Sequence, residues 1–349
     1  MTSFLERYVR GEHIQVWDEL QALGEAVRDE PLSADARAVA HETMRRVRAN
    51  LELLASRLRA AGYDFGYGWL AADAEWEEQH HMPPTPEELQ QMREMGLGEE
   101  LVQEIARHSG EESAWKYDLA RQPHVVLHPP APDVHEQLGE LERLVGPIPL
   151  SVAAWYEEVG AVNFVGVEPE RWGGPRMLIP PGEGPVYRLE RDVVEPSPSE
   201  ASALTAVSVY HYRPVPRTAA HDAAVDSIEG LAQTAGIQHN LDPLYVRPLD
   251  EVVRAVQRQI AHPYPGRDAY YLDVAPDEHF KYFVSGGGPY AMRVPDGRVD
   301  APLEGEWHQT TFVNYLRICL QWAGLPGLES RLDRHNAQFA HLWEGLAPM

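Results

Sequence analysis

The sequence has little cysteine, few basic residues and no long apolar run, and each shortage excludes a class of protein. Its one cysteine, Cys319, excludes an internal disulfide and a cysteine-based zinc site. Cys319 lies in the apolar run Tyr315–Leu320, which predicts a small buried hydrophobic side chain. No stretch approaches the eighteen apolar residues of a membrane-spanning helix. Residues 1–10 lack the basic and apolar regions of a signal peptide, so we expect a cytoplasmic protein.

Basic residues are scarce relative to acidic ones. The 349 residues include 54 Asp and Glu against 30 Lys and Arg, a formal net charge of −24. A surface of this sign repels nucleic acid and anionic membranes, and it attracts basic proteins and cations. The excess is concentrated between Ala71 and Ala114, which hold twelve acidic residues and two arginines. Solubility alone is one interpretation of this charge, and a basic protein partner is the other.

Residues 1–70 predict a helical hairpin. Apolar residues recur at helical spacing between Ser3 and Asp29, with a break at Gly11, and again between Ala34 and Ala61. Ser33 is predicted to cap the second helix and Gly62 to follow its end. The connection is short, so the two helices are expected to pair antiparallel.

Residues 71–122 predict an acidic helical connector. The run Thr85–Glu88 combines a capping residue, a proline and two acids, which is typical of a helix start. Gly98–His108 predicts a second short helix. Tryptophans occur among these acids, and aromatic anchors beside charges suit a protein interface. The residues predicted to contact a partner are Glu75, Trp76, Glu77, Glu78, Glu87, Glu88, Glu99 and Glu100.

Residues 123–328 predict one α+β domain, followed by a C-terminal helix over 329–349. Short β-rich runs alternate with turns, and helices lie mostly at either end. This order favours an antiparallel or mixed sheet packed against helices over a doubly wound parallel sheet. Tyr270–Val274 and Phe280–Val284 are predicted to be neighbouring strands, and Thr310–Ala323 a closing helix. The predicted core aromatics are Trp155, Tyr156, Trp307 and Trp322.

The run Gly146–Phe164 resembles the opening of the Smi1/Knr4 superfamily, also called SUKH. That family begins with a helix, a Leu-Pro step, a second helix ending in an aromatic pair, and a glycine turn into the first strand. Pro149-Leu150 stands at the step, with Ile148 in place of the usual leucine, and Trp155-Tyr156 at the aromatic pair. Gly160-Ala161 replaces the commoner double glycine.

Two later segments extend the resemblance. Glu306–Leu316 is similar to the closing helix of the family, and Asp242–Val246 to one of its strands. The likeness covers roughly residues 123–328 and leaves the helical front outside it. It implies an α+β protein-binding module without shared catalytic residues. In bacteria, proteins of this kind are often immunity proteins that neutralise toxins, many of them nucleases, and fungal relatives act in cell-wall and signalling regulation.

Several polar groups suggest chemistry, but each also has a simpler structural interpretation. His124, His128 and His135 recur at short spacing, yet the intervening prolines and β-rich residues argue against one helical face of metal ligands. Ser285–Pro289 lacks the lysine and helix of a phosphate-binding loop. The polar run Asp273, Asp277, Glu278 and His279 is better interpreted as a turn and helix start. No catalytic residue, metal site or cofactor is therefore predicted.

Three functions remain open from the sequence. The first is a non-enzymatic bacterial immunity protein that binds a basic toxin. This protein could be a homo-oligomer, and neither nucleic acid nor a membrane is expected as its partner. An acidic protein of this kind can occupy a nuclease's phosphate-binding cleft. The second is an intracellular scaffold or regulator with the same domain. The third is a hydrolase, which requires a deep pocket around Asp273, His279 or His308.

Overall fold

The computed structural model describes residues 2–80, 86–94, 98–99, 102–103, 113–169, 172, 177–178, 186–194, 207–216, 241–263, 269–282, 288–330 and 337–349. The chain divides into two compact units, each with helices and an antiparallel sheet, so the fold class is α+β as predicted. The first unit comprises Met1–Phe65, Val125–Gly166 and Asn240–Met349. The second unit comprises Gly66–His124 and Val167–His239.

The helices of the first unit begin and end where local chemistry requires. They are α1 (Phe4–Val9), α2 (His13–Ala22), a 3-10 turn (Gly24–Arg28), α3 (Leu32–Ala60), α7 (Val134–Val145), α8 (Leu150–Glu158), α9 (Leu249–Ala261), α10 (Glu278–Lys281), α11 (Phe312–Gln321) and α12 (Ala337–Trp343). Gly11 separates α1 from α2 with φ 111°, and Gly62 follows α3 with φ 86°, as predicted. The predicted cap Ser33 is wrong, because Ser33 lies buried inside α3 and Pro31 precedes the helix.

Helix α3 supplies much of the core of this unit. Its fully buried stripe includes Met44, Val47, Leu51 and Leu58, at the spacing of one helical face. Each such side chain contributes about 1.5–3 kcal/mol by leaving water. The buried indole of Trp17 donates from Nε1 to Thr43 Oγ1 at 3.1 Å, which joins α2 to α3 without leaving a polar atom unpaired.

The first unit contains a three-stranded antiparallel sheet. Strand β3 (Ala161–Asn163) lies between β2 (Leu127–His128) and β8 (Tyr245–Val246). Strand β2 begins only at Leu127, and Val125, two residues before it, is 46% exposed. Gly160 leads from α8 into β3 with φ 92°, and a Cβ there would lie 2.3 Å from the carbonyl oxygen of His128. Only glycine fits this approach.

A hairpin of β9 (Tyr270–Pro276) and β10 (Pro289–Val294) forms a second sheet in the first unit. The predicted strand Phe280–Val284 is wrong over its described residues, because α10 occupies Glu278–Lys281. Asp277 is the reason: its Oδ1 accepts from the Phe280 amide at 2.8 Å, which starts the helix. Its Oδ2 accepts from the Gly288 amide at 2.7 Å and fixes the start of β10.

The second unit combines helices with a separate antiparallel sheet. Its described helices are α4 (Leu70–His80), α5 (Pro86–Glu94) and α6 (Ser113–Arg121), and its strands are β5 (Met177–Leu178), β6 (Val186–Val194) and β7 (Val207–Val215). Strand β6 lies between β5 and β7. The hydroxyl of Tyr212 on β7 donates to Asp73 Oδ1 on α4 at 2.8 Å, which ties sheet to helix. The short strands β1 (Asp64–Phe65) and β4 (Gly166–Val167) lie where the chain passes between units.

Three further predictions can be compared with the described residues. Cys319 is buried on α11, Trp155 and Tyr156 are buried on α8, and Trp322 is buried just after α11. Burial raises the pKa of the Cys319 thiol, which disfavours the reactive thiolate. Across the part of the chain that the structure describes, no helix has both the length and the apolar character needed to cross a bilayer.

Candidate interaction surface

The structure describes only part of the predicted acidic contact set. Glu75 lies on α4 with an exposed side chain, and Glu99 is exposed and paired with Arg93, whose Nε lies 2.7 Å from Glu99 Oε2. The backbones of five further residues fall on helices, and their side chains are outside the described set, as is all of Glu100. Those five residues are Trp76, Glu77 and Glu78 on α4 and Glu87 and Glu88 on α5.

The geometry of the first unit reveals a different surface, centred on the turn from Pro302 to Thr311. This segment is called the Trp307 loop below. A β-bridge between Pro302 and Thr311 closes its neck, and the Leu303 amide donates to the Thr310 carbonyl at 2.8 Å. Backbone hydrogen bonds in both directions join Glu304 to Ala291 on β10, at 2.7 and 2.9 Å. The loop is thus fixed to a sheet at its base.

The tip of the Trp307 loop adopts an unusual backbone conformation. Gly305 has φ 83°, and Gln309, although it is not a glycine, has a positive φ of 52°. A left-handed non-glycine residue costs of order 1–3 kcal/mol in general and persists only where its surroundings impose it. Here the Gln309 amide donates to the Glu306 carbonyl at 3.1 Å. This hydrogen bond helps to hold the tip in its strained conformation.

The side chains of Glu306, His308 and Glu329 form a hydrogen-bonded group, the brace, that stabilises the tip. His308 Nδ1 lies 2.5 Å from Glu306 Oε1, and its Nε2 lies 2.8 Å from Glu329 Oε2. The fully buried Glu306 also accepts from the His308 amide at 2.9 Å. Partial burial works against the charged imidazolium, but the hydrogen bonds with Glu329 and Glu306 outweigh it, so the pKa of His308 is raised.

This brace presents Trp307 to solvent. Its side chain is 53% exposed, so the prediction that Trp307 is a core aromatic is wrong. The physical reason is the turn: the predicted helical similarity over Glu306–Leu316 begins as a tight loop, and α11 starts only at Phe312. One part of the indole contacts the His308 ring, with centroids 4.1 Å apart and planes tilted by 42°. The rest of the ring is accessible.

Three carboxylates lie close to Trp307 in the sequence or contact its neighbour His308. Glu304 lies three residues before it and is exposed, and within the described residues no hydrogen bond or ion pair engages its carboxylate. Glu329 has a side chain 44% exposed and uses only Oε2 to bind His308. Two carboxylates, those of Glu306 and Glu329, contact the imidazole of His308, and Glu304 is a third acidic residue of the same segment.

A buried ion pair lies deeper in the same unit. Lys281 Nζ on α10 bonds to Asp242 Oδ1, and both residues are almost fully buried. Asp242 has φ 42°, and the ammonium lies 5.1 Å from the centroid of the Tyr290 ring. The Tyr290 hydroxyl donates to Asp242 Oδ2 at 3.4 Å, and the Tyr290 ring lies beside Gly305 of the Trp307 loop. Both charges are neutralised locally, which favours a structural role.

The other candidate residues of the sequence are not brought together. His135 Nδ1 lies 3.0 Å from Glu157, His128 is on β2, and His124 contacts the Tyr67 ring in the second unit. Among the residues that the structure describes, no three His, Cys, Asp or Glu side chains are arranged to hold a metal ion. Asp277 caps α10, and most of Ser285–Pro289 and the side chain of His279 are outside the described residues.

Cavities lined by described residues of the first unit include the two that follow. One has a volume of about 250 Å³ between α3, α7 and α8, with His41, His135 and Glu157 in its wall. The other, about 330 Å³, lies between α11 and residues 343–349 and includes Arg317. Asp273 and His308 line neither of these cavities.

Sequence reasoning missed the Trp307 loop because it assigned the segment to a helix. A signal was present: Glu304-Gly305-Glu306 precedes the tryptophan, and a glycine between two acids favours a turn over a helix start. The brace joins His308 to Glu329, twenty-one residues later, and no local pattern predicts that contact. Comparison of the chain with protein-family models, with curated proteins and with solved structures gave no match.

Proposed function

We propose that this chain is a non-enzymatic protein-binding protein whose partner is a basic protein. The observation that carries the proposal is the exposed Trp307 on its braced, strained turn. Tryptophan is the residue type most enriched among those that dominate interface energies, and a rigid anchor loses little conformational entropy on binding. A strained turn that exposes an apolar ring brings folding no evident benefit, and such strain is typical of binding sites.

The charge of the chain supports a basic partner. A net charge of −24 attracts a cationic protein over a long range and speeds the encounter. The acidic connector, including Glu75 and Glu99, is proposed as a second contact region. Ions screen such attraction, with a Debye length of about 10 Å at 0.1 M salt. Binding through these surfaces is therefore expected to weaken steeply as salt is added.

Neutralisation of a toxin is the biological role that we propose. The resemblance of Gly146–Phe164 to the Smi1/Knr4 superfamily supports it. The order of elements is compatible with that resemblance: α7, the Pro149 step, α8 with Trp155-Tyr156, the Gly160 turn and β3 follow one another. A basic nuclease toxin fits the charge, because carboxylates placed in a phosphate-binding cleft replace the phosphates of its substrate.

The test is binding and neutralisation of the purified products of the genes adjacent to this one. Affinity is measured by calorimetry at 50 and 500 mM NaCl, and toxin activity is measured with and without this protein. We expect one basic product to bind, to lose activity, and to bind at least about tenfold more weakly at the higher salt. Absence of binding by every neighbouring product, or turnover of a metabolite by the pure protein, would refute the proposal.

A matched pair of variants locates the contact. Glu75→Gln, Glu77→Gln and Glu78→Gln together remove three charges from α4. As the control, Asp133→Asn, Glu136→Gln and Glu140→Gln remove three charges from α7 and the residue that precedes it. We expect the α4 variant to weaken binding more than the control, because the connector has the denser charge. Equal effects of the two variants would contradict a role for the connector.

A further inference from the structure

We propose that the cavity between α3, α7 and α8 binds a small monocarboxylate, whose carboxylate pairs with Arg37 and whose compact apolar body fills the cavity floor. The cavity has a volume of about 250 Å³, and the residues that line it all belong to the first unit. This volume lies just below the range of about 300–1,000 Å³ that is typical of ligand pockets, so the ligand must be small. The inference goes beyond the proposed function, because none of the described residues that line the cavity belongs to the Trp307 loop or the acidic connector.

Small residues keep the cavity open. Gly139 lies inside α7, and a Cβ built on it has no heavy atom within 4 Å. A glycine inside a helix is less favourable than an alanine, so the helix gives up stability at a position where a side chain would enter the cavity. Ala40 on α3 and Ala153 and Ala154 on α8 line the same space. The larger apolar residues of the wall are buried, and they are Leu138, Ile148 and Leu150.

The two carboxylates in the wall of the cavity each contact basic side chains of the same wall. Glu157 on α8 lies between two histidines, with its Oε1 3.0 Å from His135 Nδ1 and its Oε2 3.2 Å from His41 Nε2. Glu142 on α7 has its Oε1 3.4 Å from Arg28 Nη2. These contacts hold four charged or protonatable groups of the wall in fixed positions, and they leave Arg37 as a further cation.

Arg37 supplies the positive charge that a ligand can neutralise. It lies one helical turn before His41 on α3, and both residues line the cavity. The structure describes every residue of α3, α7 and α8, and no acidic residue of these three helices pairs with the Arg37 guanidinium. Because a guanidinium can bind one carboxylate through two parallel hydrogen bonds, Arg37 suits a carboxylate at the cavity mouth.

The composition of the wall selects the class of ligand. A dianion such as inorganic phosphate would bring a second negative charge close to Glu142 and Glu157, and it has no apolar part to cover the floor. A cation would be repelled by Arg37. An uncharged apolar molecule would cover the floor but would form no ion pair with Arg37. A monocarboxylate with a hydrocarbon body matches both the charged mouth and the apolar floor.

NMR on the full-length protein with isotope-labelled histidine tests the inference, because His41 and His135 line the cavity. Their resonances are assigned with His41→Gln and His135→Gln. The probes are benzoate, hexanoate, benzamide and inorganic phosphate, added at constant pH and ionic strength. We expect benzoate or hexanoate to shift both resonances saturably, and benzamide and phosphate to bind at least about tenfold more weakly. No saturable shift with either carboxylate, or an affinity for benzamide or phosphate equal to that for the carboxylates, would overturn the inference.

Three variants test whether the carboxylate binds in this cavity. Gly139→Leu fills the open space with a strong helix former, so it closes the site without weakening α7. Arg37→Gln removes the charge at the mouth, and Arg143→Gln is its matched control, because Arg143 is exposed on α7 and is not among the residues that line the cavity. We expect Gly139→Leu to abolish the saturable shift, Arg37→Gln to weaken carboxylate binding by about tenfold, and Arg143→Gln to change it by less than about twofold. Carboxylate binding that survives Gly139→Leu, or that falls equally in the two arginine variants, would overturn the inference.

Discussion

Removing Lys281 is expected to destabilise the first unit strongly. Its ammonium pairs with Asp242, and the two residues are 1% and 3% exposed. In the variant Lys281→Met, the methionine replaces the stem of the lysine, but Asp242 is left as a buried carboxylate without its cation. Breaking a buried ion pair from one side costs about 3–5 kcal/mol in unfolding free energy, mostly as the desolvation of the remaining charge.

The double variant Asp242→Asn with Lys281→Met isolates that cause. Asparagine tolerates the left-handed φ of 42° at position 242, so the backbone is not perturbed. With both charges removed, we expect the loss of unfolding free energy relative to the wild-type protein to fall to about 0–2 kcal/mol, because replacing a whole buried ion pair is often nearly neutral. The double variant should therefore be more stable than Lys281→Met alone, although it carries one substitution more.

Urea denaturation followed by circular dichroism measures these differences. The midpoints and slopes of the wild-type protein, both single variants and the double variant give the coupling free energy of the pair. A loss below about 1 kcal/mol for Lys281→Met would refute the argument that Asp242 depends on this cation. A double variant less stable than the single one would refute it too.

Two further perturbations follow from the same structure. The pKa of His308 is raised in the folded state, so its contribution to stability is complete below its unfolded pKa of about 6.5 and is lost as pH rises through the folded value. The difference in unfolding free energy between the wild-type protein and His308→Gln should therefore decline between pH 6 and 8. A difference that stays constant contradicts the brace. Gly160→Ala should lower the free energy of unfolding by about 3 kcal/mol, because the new Cβ meets the His128 carbonyl. Gly139→Ala on α7 meets open space and should raise the free energy of unfolding by about 0.5–1 kcal/mol. Thermal unfolding of both variants measures this difference.

Local signals in the sequence predicted the helices better than the strands. The apolar stripe of α3 and the positive φ of Gly62 follow from residues close together in the chain, so periodicity and turn chemistry reveal them. The strand predicted at Phe280–Val284 has the aromatic and β-branched residues of a strand, yet α10 includes its first two residues. Asp277 decides this through hydrogen bonds to Phe280 and to Gly288, and the second partner is eleven residues away.

The candidate site was less predictable than the fold. Acidic residues alone indicated the connector, whereas the Trp307 loop depends on contacts between distant parts of the chain. Ala291 fixes its base and Glu329 its tip, and neither position is special in the sequence. The exposure of Trp307 is a result of these contacts. Composition therefore predicted the sign of the charge, but not the place where an aromatic ring lies beside it.

The division of the first unit into three stretches of chain affects how the protein is made. Strand β3 needs Tyr245 and Val246 as its second neighbour, and these residues follow the whole of the second unit. During synthesis the ribosome therefore completes the central sheet late, after more than two thirds of the polypeptide has emerged. Contacts between such distant residues slow folding in general, and nascent β3 has an open edge until then. A chaperone that shields this edge on the ribosome would raise the yield of native protein.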